Sequence, residues 1–337
     1  MARAPIVPGN LSDPGNFDRL ERRAIKDFTR RIKAAGDAYL AIVDSIEFES
    51  FETNRAGFTY ELIVDPHVIP APDAKPQFRC VPTLETNARR YTFRTLTQTI
   101  AQALEAAGRL VDRLLVGADA RTNWFSLEYV IPSFEQGTAQ SWRNLGVQSA
   151  TYAATRPTLA DLITSEPYQR RLSLLQTREF ELMKGLSGTV KQQLAETLTG
   201  GLAQGIGPKE IAKNIKAQTG VEIRRAERIA RTEIGMALRT ARLDEAQDAA
   251  SRLGSKIRIM HLSALSPTTR LTHAQRHGHL YDIEVERDWF AAGSNSINCK
   301  CSMTEVLVDD KGQPLSKGLV DRTQAAGKRY LEAQNAE

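Results

Sequence analysis

The spacing of apolar side chains, which changes near residue 255, constrains the fold more than any other feature. From Phe17 to about residue 252 apolar side chains recur mostly at every third or fourth position, which predicts amphipathic helices. After Lys256 the short segments KIRIMHL, LYDIEVE and MTEVLV have the pattern of strands, and a last helix is expected over about 316–334. We therefore predict a mainly α N-terminal region with a β-hairpin insertion, followed by a small α+β C-terminal domain.

The hairpin is predicted where the helical spacing is interrupted. Residues 46–52 and 57–64 alternate with a period of two around the turn NRAG, which predicts a hairpin over 46–64. Five prolines in residues 65–83 oppose regular structure there. Helices are expected at about 17–44, 87–115, 133–154, 166–183, 187–204, 208–218 and 222–250. The predicted divisions are an extended arm over 1–16, a mainly helical region over 17–220 and an α+β domain over 221–337.

Composition and charge exclude several classes of protein. No apolar run approaches the ~18–20 residues that span a bilayer, so we expect no membrane partner. The three cysteines of this 337-residue chain cannot form a disulfide framework, so we expect reduced thiols inside a cell. Lysine and arginine total 45 against 40 acidic residues, and 32 of the 45 are arginine. Because the guanidinium fork suits phosphate and carboxylate, this excess fits an anionic partner, and ordinary salt-bridged helices in an arginine-rich protein are the alternative.

The predicted helix over 222–250 carries arginines along one face. On a helical wheel the following side chains lie within about 60° of the first: Arg224, Arg228, Arg231, Arg239 and Arg242. Such a stripe could contact the phosphates of DNA without base-specific geometry. The alternative is a solvated face paired with acidic neighbours.

Glu233 lies on the opposite, apolar side of the same predicted helix. A carboxylate there must be paired, coordinated or neutralised, because an unpaired buried charge is very costly. We predict a structural ion pair with an arginine such as Arg270. A role beside the histidine cluster is the alternative.

Histidine and cysteine residues are concentrated in the C-terminal part. The cluster consists of His261, His273, His277 and His279, followed twenty residues later by Cys299 and Cys301. A helical turn would place His273 and His277 on one face, and two imidazoles with two thiolates would suit Zn²⁺. Zinc is the one candidate cofactor. Because a single residue separates the cysteines, whereas structural zinc pairs usually have two to four, we favour a buried polar and thiol cluster without metal, and zinc is the alternative.

Known catalytic motifs are absent from the sequence. HAQRH lacks the glutamate that serves as general base in H-E-x-x-H metalloproteases, and no glycine-rich nucleotide motif is found. We therefore expect that the chain is not an enzyme. The alternative is a metal-dependent nuclease or toxin-like enzyme that uses His273, His277 and the two cysteines.

Several of these segments together resemble a known family. Ala230-Arg231-Thr232-Glu233, Thr269-Arg270 with His273, His277-Gly278 and Asn298-Cys299-Lys300-Cys301 are similar to the motifs of phage minor head proteins of the Mu F type. The resemblance covers roughly residues 185–308. It departs from the family at Ser266 and Thr268, where members usually have aspartate and arginine, so a carboxylate-dependent role at that position is not expected.

The resemblance implies a minor capsid protein of the virion. Such head morphogenesis proteins lie inside the capsid at the portal vertex, after assembly in the host cytoplasm. The implied partners are the portal protein, the major capsid protein and double-stranded DNA bound without sequence preference. The implied roles are assembly and the handling of packaged DNA, which some members accompany on ejection. Residues 17–220 would then contact portal or capsid.

Overall fold

The computed structural model of this chain describes residues 3–62, 78–156, 158–254 and 256–334. Most of the predicted proline-rich stretch, residues 63–77, lies outside the described residues. The α-helices are α1 (Asp18–Ser45), α2 (Thr97–Leu115), α3 (Ile131–Gln148), α4 (Ala150–Thr155), α5 (Leu159–Ile163), α6 (Glu166–Ala203), α7 (Pro208–Leu253), α8 (Leu271–Ala274), α9 (Ile283–Ala291) and α10 (Lys317–Gln334). A π-helical turn, Ser126–Val130, leads into α3.

Five strands form two antiparallel sheets. The strands are β1 (Phe48–Leu62), β2 (Phe78–Phe93), β3 (Ile257–Leu262), β4 (Leu280–Tyr281) and β5 (Ser302–Leu307). Strand β1 pairs with β2 alone, and β3 lies between β4 and β5. This arrangement confirms the predicted fold class of a mainly α region with a hairpin and a small α+β unit.

The position of the hairpin turn was predicted wrongly. The NRAG residues, 54–57, lie within the continuous strand β1, and the register shifts between Thr53 and Arg55. The partner strand is β2, part of which was expected to be irregular or helical. A bulge preserves the strand while interrupting its alternation, so NRAG has the composition of a turn without being one.

Two helices are longer than the sequence predicted. The breaks expected near residues 184–186 and 219–221 are absent, and α6 and α7 run through Gly185 and Gly220. In α6, Met183, Leu186 and Val190 are buried at helical spacing. Tertiary burial of this kind outweighs the roughly 1 kcal/mol that a glycine costs in a helix interior. Pro208 does open α7, and Gly205 before it has a positive φ of 65°.

The described residues form two compact units. One comprises Met1–Ala34, Leu110–Val190 and Gly220–Glu337, and the other comprises Ala35–Arg109 and Lys191–Thr219. The second unit contains the β1–β2 hairpin, and the backbone N–H of Tyr91 donates to the Gly205 carbonyl at 3.0 Å. The domain limits at residues 16 and 220 remain a prediction, since a domain is defined by independent folding.

The first unit is built around α7. Gly137 of α3 lies so close to α7 that a Cβ there would be 2.3 Å from the carbonyl oxygen of Leu238. The Ser133 hydroxyl of α3 donates to the Ile234 carbonyl at 2.7 Å. The buried face of α7 also packs on β3, β5 and α9, where Leu243, Ala246 and other apolar side chains form one core.

Residues 3–16 form no helix or strand, but they are fixed to the first unit. The N–H of Ile6 donates to Asn144 Oδ1 at 2.7 Å, and its carbonyl accepts from the Thr304 hydroxyl at 2.9 Å. In the part of the chain that the structure describes, no helix is long and apolar enough to cross a membrane.

Candidate functional site

The five arginines predicted as one stripe on α7 do not share one surface. Arg224 and Arg228 are exposed. Arg231 is half-buried, and its Nε lies 3.1 Å from Glu21 Oε1. Arg239 and Arg242 are buried, with exposed fractions of 1% and 3%. The prediction of a continuous arginine face is therefore wrong, because α3, β5 and the segment 299–301 cover its C-terminal half.

Arg242 forms a buried ion pair with Glu305 of β5. Its Nε lies 3.0 Å from Oε1, and its Nη2 lies 2.7 Å from Oε2. The Asn144 side-chain amide also donates to Oε2, at 2.6 Å. Burial acts to raise the pKa of Glu305, but the charge and hydrogen bonds of Arg242 and Asn144 hold that pKa below its ordinary value. The pair is a structural element of the first unit.

Arg239 is fully buried beside the two cysteines. Its Nη1 donates to the carbonyl oxygens of Cys299, at 3.3 Å, and Cys301, at 3.1 Å. The guanidinium lies 4.6 Å from the ring centre of Phe290. Among the described residues, its Nε and Nη2 have no hydrogen-bond partner. Burial lowers the pKa of Arg239, and the neighbouring sulfurs oppose that shift.

His273 joins the two cysteines in one compact cluster. Its Nδ1 lies 3.4 Å from Cys299 Sγ and 3.3 Å from Cys301 Sγ. The backbone N–H of Cys301 also points at Cys299 Sγ, at 3.4 Å. Hydrogen bonding from Cys301 lowers the pKa of Cys299 to about 3. Burial opposes this shift, whereas His273 and Arg239 lower the Cys299 pKa further. The same contact with Cys299, together with burial, raises the pKa of Cys301.

Arg270 contacts His273 rather than Glu233, so its predicted pairing is wrong. Its Nη1 donates to His273 Nε2 at 3.0 Å, and its Nη2 donates to the Ile297 carbonyl at 2.5 Å. A guanidinium can only donate, so Nε2 must accept. The Nδ1 atom of the neutral ring then carries the proton and donates it towards the sulfurs.

Glu233 is paired with an arginine that sequence analysis did not identify. Arg178 of α6 lies 2.7 Å from Glu233 Oε2 and 3.0 Å from Oε1 of the fully buried Glu179. Burial and repulsion from Glu233 raise the pKa of Glu179 to about 8. The charge of Glu233 also acts on Arg239 beside the cysteines, where it opposes the lowering of the Arg239 pKa by burial. No spacing in the sequence links α6 with α7 at this point.

The other three histidines of the predicted cluster lie outside the group formed by His273 and the two cysteines. His261 Nδ1 lies 2.6 Å from Glu286 Oε1, and both side chains are fully buried. His277 Nδ1 accepts the N–H of Ser263 at 3.1 Å, and burial lowers the His277 pKa to about 4. His279 is exposed. The expectation that a helical turn pairs His273 with His277 is wrong, because α8 ends at Ala274.

The segment that departs from the resemblance forms a turn. The N–H of Ser266 donates to the Thr269 hydroxyl at 2.9 Å, and the N–H of Thr269 donates to the Ser266 carbonyl at 2.8 Å. The hydroxyl of Tyr330 in α10 donates to that same carbonyl at 2.7 Å. These contacts position the entry to α8 and hence Arg270.

The cysteine cluster borders a cavity of about 330 Å³, whose lining includes His273, Cys299, Cys301, Arg231 and Lys300. The ligand atoms of the first three all lie within 4.8 Å of one another. Tetrahedral zinc with these ligands would hold its N and S atoms about 3.5 Å apart. The observed distances from His273 Nδ1 to the two sulfurs fit that value. The proton on this Nδ1 opposes metal binding, however, unless the hydrogen bond from Arg270 to His273 Nε2 opens.

A metal-free cluster remains the favoured prediction, with zinc as the alternative, and metal analysis separates the two. Protein purified from zinc-supplemented cells is expected to contain well under one zinc per chain. If the cluster binds zinc instead, about one zinc per chain should be present in the wild type and in His279→Ala, which removes an exposed imidazole outside the cluster, and absent from Cys299→Ser. Inductively coupled plasma mass spectrometry measures zinc in all three proteins.

The region that contains the cysteine cluster also matches a known protein family. Residues 192–304 match the model of the family described as "Phage Mu protein F like protein". The chain is 27% identical over 258 residues to the NAD(+)–arginine ADP-ribosyltransferase EFV of Enterococcus faecalis (strain ATCC 700802 / V583), covering 69% of this chain and 51% of that protein. The chain thus spans about half the length of that curated relative. No solved structure matches.

Proposed function

We propose, from the match of residues 192–304 to the family described as "Phage Mu protein F like protein", that the chain is a head morphogenesis protein and a minor capsid protein of the virion. It lies inside the head at the portal vertex, contacts the portal and major capsid proteins, and handles packaged DNA. It reaches that place from the host cytoplasm during assembly.

The family match over residues 192–304 is the observation that carries this proposal. Motif residues from that range also lie together in one hydrogen-bonded cluster. Arg239, Arg270, His273, Cys299 and Cys301 contact each other or each other's backbone. His273, Cys299 and Cys301 are buried and lie within hydrogen-bond distance of one another, and contacts of this kind stabilise a scaffold. The proposal therefore assigns the cluster a structural role and no reaction.

The test is the composition of purified particles. Mass spectrometry of DNA-filled particles should find this polypeptide in a few copies beside many copies of the major capsid protein. Particles assembled without the gene should contain less DNA. Purified portal protein should retain the wild-type chain on a column. Absence of the polypeptide from particles would contradict the proposal, and the major capsid protein from the same particles serves as the internal standard.

A toxin-like enzyme is the second candidate, and the similarity to the ADP-ribosyltransferase is the observation that favours it. The activity in that relative's name belongs to a protein of which this chain covers about half. Purified chain would be assayed for NAD⁺ consumption, for ADP-ribose transfer to arginine and for DNA cleavage with and without a chelator. Turnover in any of these assays would favour the enzyme.

A further inference from the structure

The exposed side of α1 carries a second basic surface. Its members are all exposed and all lie within about 100° of the helix circumference, and we call them the basic face: Arg19, Arg22, Arg23, Lys26, Arg30 and Lys33. The opposite side of α1 is buried, with Phe28 lying 4.9 Å from the rings of both Trp124 and Phe125. Burial of one side therefore fixes the basic face towards solvent.

Few of these charges are neutralised by acidic neighbours. Arg22 lies 3.9 Å from Asp18, and Arg30 lies 2.7 Å from Asp27. For the other four members, no ion pair is found within the described parts of the chain. Exposed pairs of this kind exchange readily with solvent and counterions, so Arg22 and Arg30 also remain available to an anion.

The basic face differs from the arginines of α7 in accessibility. Only Arg224 and Arg228 of that set are exposed, and Arg231 is already bound to Glu21. The basic face of α1 therefore presents six exposed cations, whereas the five arginines predicted as a stripe on α7 present two. The sequence shows both sets, but only burial distinguishes the open surface from the structural one.

We propose that the basic face of α1 is a binding surface for the phosphate backbone of double-stranded DNA. Residues 19–33 extend over about 21 Å of helix axis, the rise of roughly six base pairs. Lysine and arginine at this density bind DNA without sequence preference by releasing condensed counterions. This inference rests on the proposed handling of packaged DNA and gives that function a location.

The composition of the face favours DNA over an acidic protein. Protein interfaces usually centre on apolar or aromatic anchors that become desolvated on binding. The basic face contains none, and four of its six members are arginines, whose forked donors match phosphate oxygens.

The test compares three variants of the full chain. The α1 variant changes Arg19, Arg23, Lys26 and Lys33 to glutamine, which keeps helix propensity. The charge control changes four exposed basic residues of other helices in the same unit to glutamine: Arg170, Lys184, Arg252 and Lys328. The third variant carries Arg224→Gln and Arg228→Gln. Circular dichroism checks that each retains its helices.

Fluorescence anisotropy with a 30-base-pair duplex of mixed sequence measures binding between 50 and 200 mM salt. In the α1 variant we expect affinity to fall roughly tenfold or more, and the salt slope to decrease by up to about 3.6, for four lost phosphate contacts. The charge control should bind close to wild type. This combination of results supports the proposal.

Three outcomes would overturn it: equal losses in the α1 variant and the charge control, a loss confined to the α7 variant, or no wild-type binding at 50 mM salt. A variant that binds DNA normally yet no longer binds portal protein would assign the face to a protein partner instead. Failure of the proposed function is a separate result, because it is measured as the absence of the polypeptide from particles.

Discussion

Replacing Arg242 with methionine is expected to lower the free energy of unfolding by about 3–5 kcal/mol, although the surface of the protein is unchanged. Methionine retains much of the aliphatic volume and removes the charge. Glu305 is fully buried, and its carboxylate would then lack its cationic partner. Breaking a buried ion pair from one side is costly because the remaining charge has lost both water and its counter-ion. Urea unfolding monitored by circular dichroism measures the loss.

Two controls separate the charge effect from lost packing. Lys256→Met removes one partner of an exposed ion pair with Asp310 and should leave the free energy of unfolding nearly unchanged, because solvent screens the pair. The double variant Arg242→Met with Glu305→Gln removes both buried charges and should regain most of the lost stability. A double variant as unstable as the single one would mean that packing, rather than the ion pair, accounts for the loss.

The loss should also depend on pH. In the wild type the Glu305 pKa lies below its ordinary value, so the stability it contributes is present above the unfolded-state pKa of about 4.3 and is lost as the pH falls through the folded pKa. Without Arg242, burial alone would raise the Glu305 pKa. The difference between wild type and variant should therefore be larger at pH 7 than at pH 5. A difference that does not change with pH would contradict the proposed origin of the effect.

Periodicity predicted the fold class well because it reports local burial. The helical spacing around Phe17 and Phe28 is a direct consequence of one buried face, and the apolar segment KIRIMHL forms a strand that is buried except at Arg258. The last helix begins at Lys317, one residue from its predicted start. LYDIEVE was predicted less well, since the strand ends at Tyr281 and α9 begins at Ile283. Short apolar segments fit both helix and strand, and tertiary contacts decide between them.

The arginines show what a helical wheel cannot determine. The wheel places Arg228 and Arg239 on similar sides of α7, yet only the first is exposed. A helical wheel gives the direction in which each side chain points from one helix. It does not show which other element covers that side of the helix at a given position along its axis. Long-range partners such as Glu305, 63 residues beyond Arg242, follow from the fold alone.

Closeness in the chain did not decide which motif residues were grouped correctly. His273 was expected near Cys299 and Cys301, and the structure brings these side chains together. His277 was assigned to the same group by its spacing, but its ring contacts Ser263 instead. Asn298 has a positive φ of 54°, a conformation that asparagine adopts more readily than most residues. This explains an asparagine immediately before the cysteines without any chemical role.

Replacing Gly278 with alanine is expected to destabilise the protein by about 2–5 kcal/mol, for two additive reasons. The residue has a positive φ of 78°, which costs an L-residue with a Cβ roughly 1–2 kcal/mol. A Cβ would also lie 2.5 Å from the backbone nitrogen of Gln324 in α10, and overpacking of this kind typically costs about 1–3 kcal/mol. Backbone atoms within a helix cannot rotate away as a side chain can.

Gly312→Ala is the control that carries only the first cost, so the difference between the two variants measures the second. Gly312 has a similar φ of 73°, but nothing lies within 4 Å of the position that an added methyl group would occupy, so only the conformational cost applies. Unfolding in urea should show a larger loss for Gly278→Ala than for Gly312→Ala, by about 1–3 kcal/mol. Should α10 detach instead of absorbing the strain, proteases would cleave it near Lys317 in the Gly278 variant alone. If both variants lose the same free energy of unfolding and α10 resists proteolysis in both, α10 does not approach the turn at Gly278 closely. The neighbouring His277, which lies against Gly327 of α10, would then lack that rigid support.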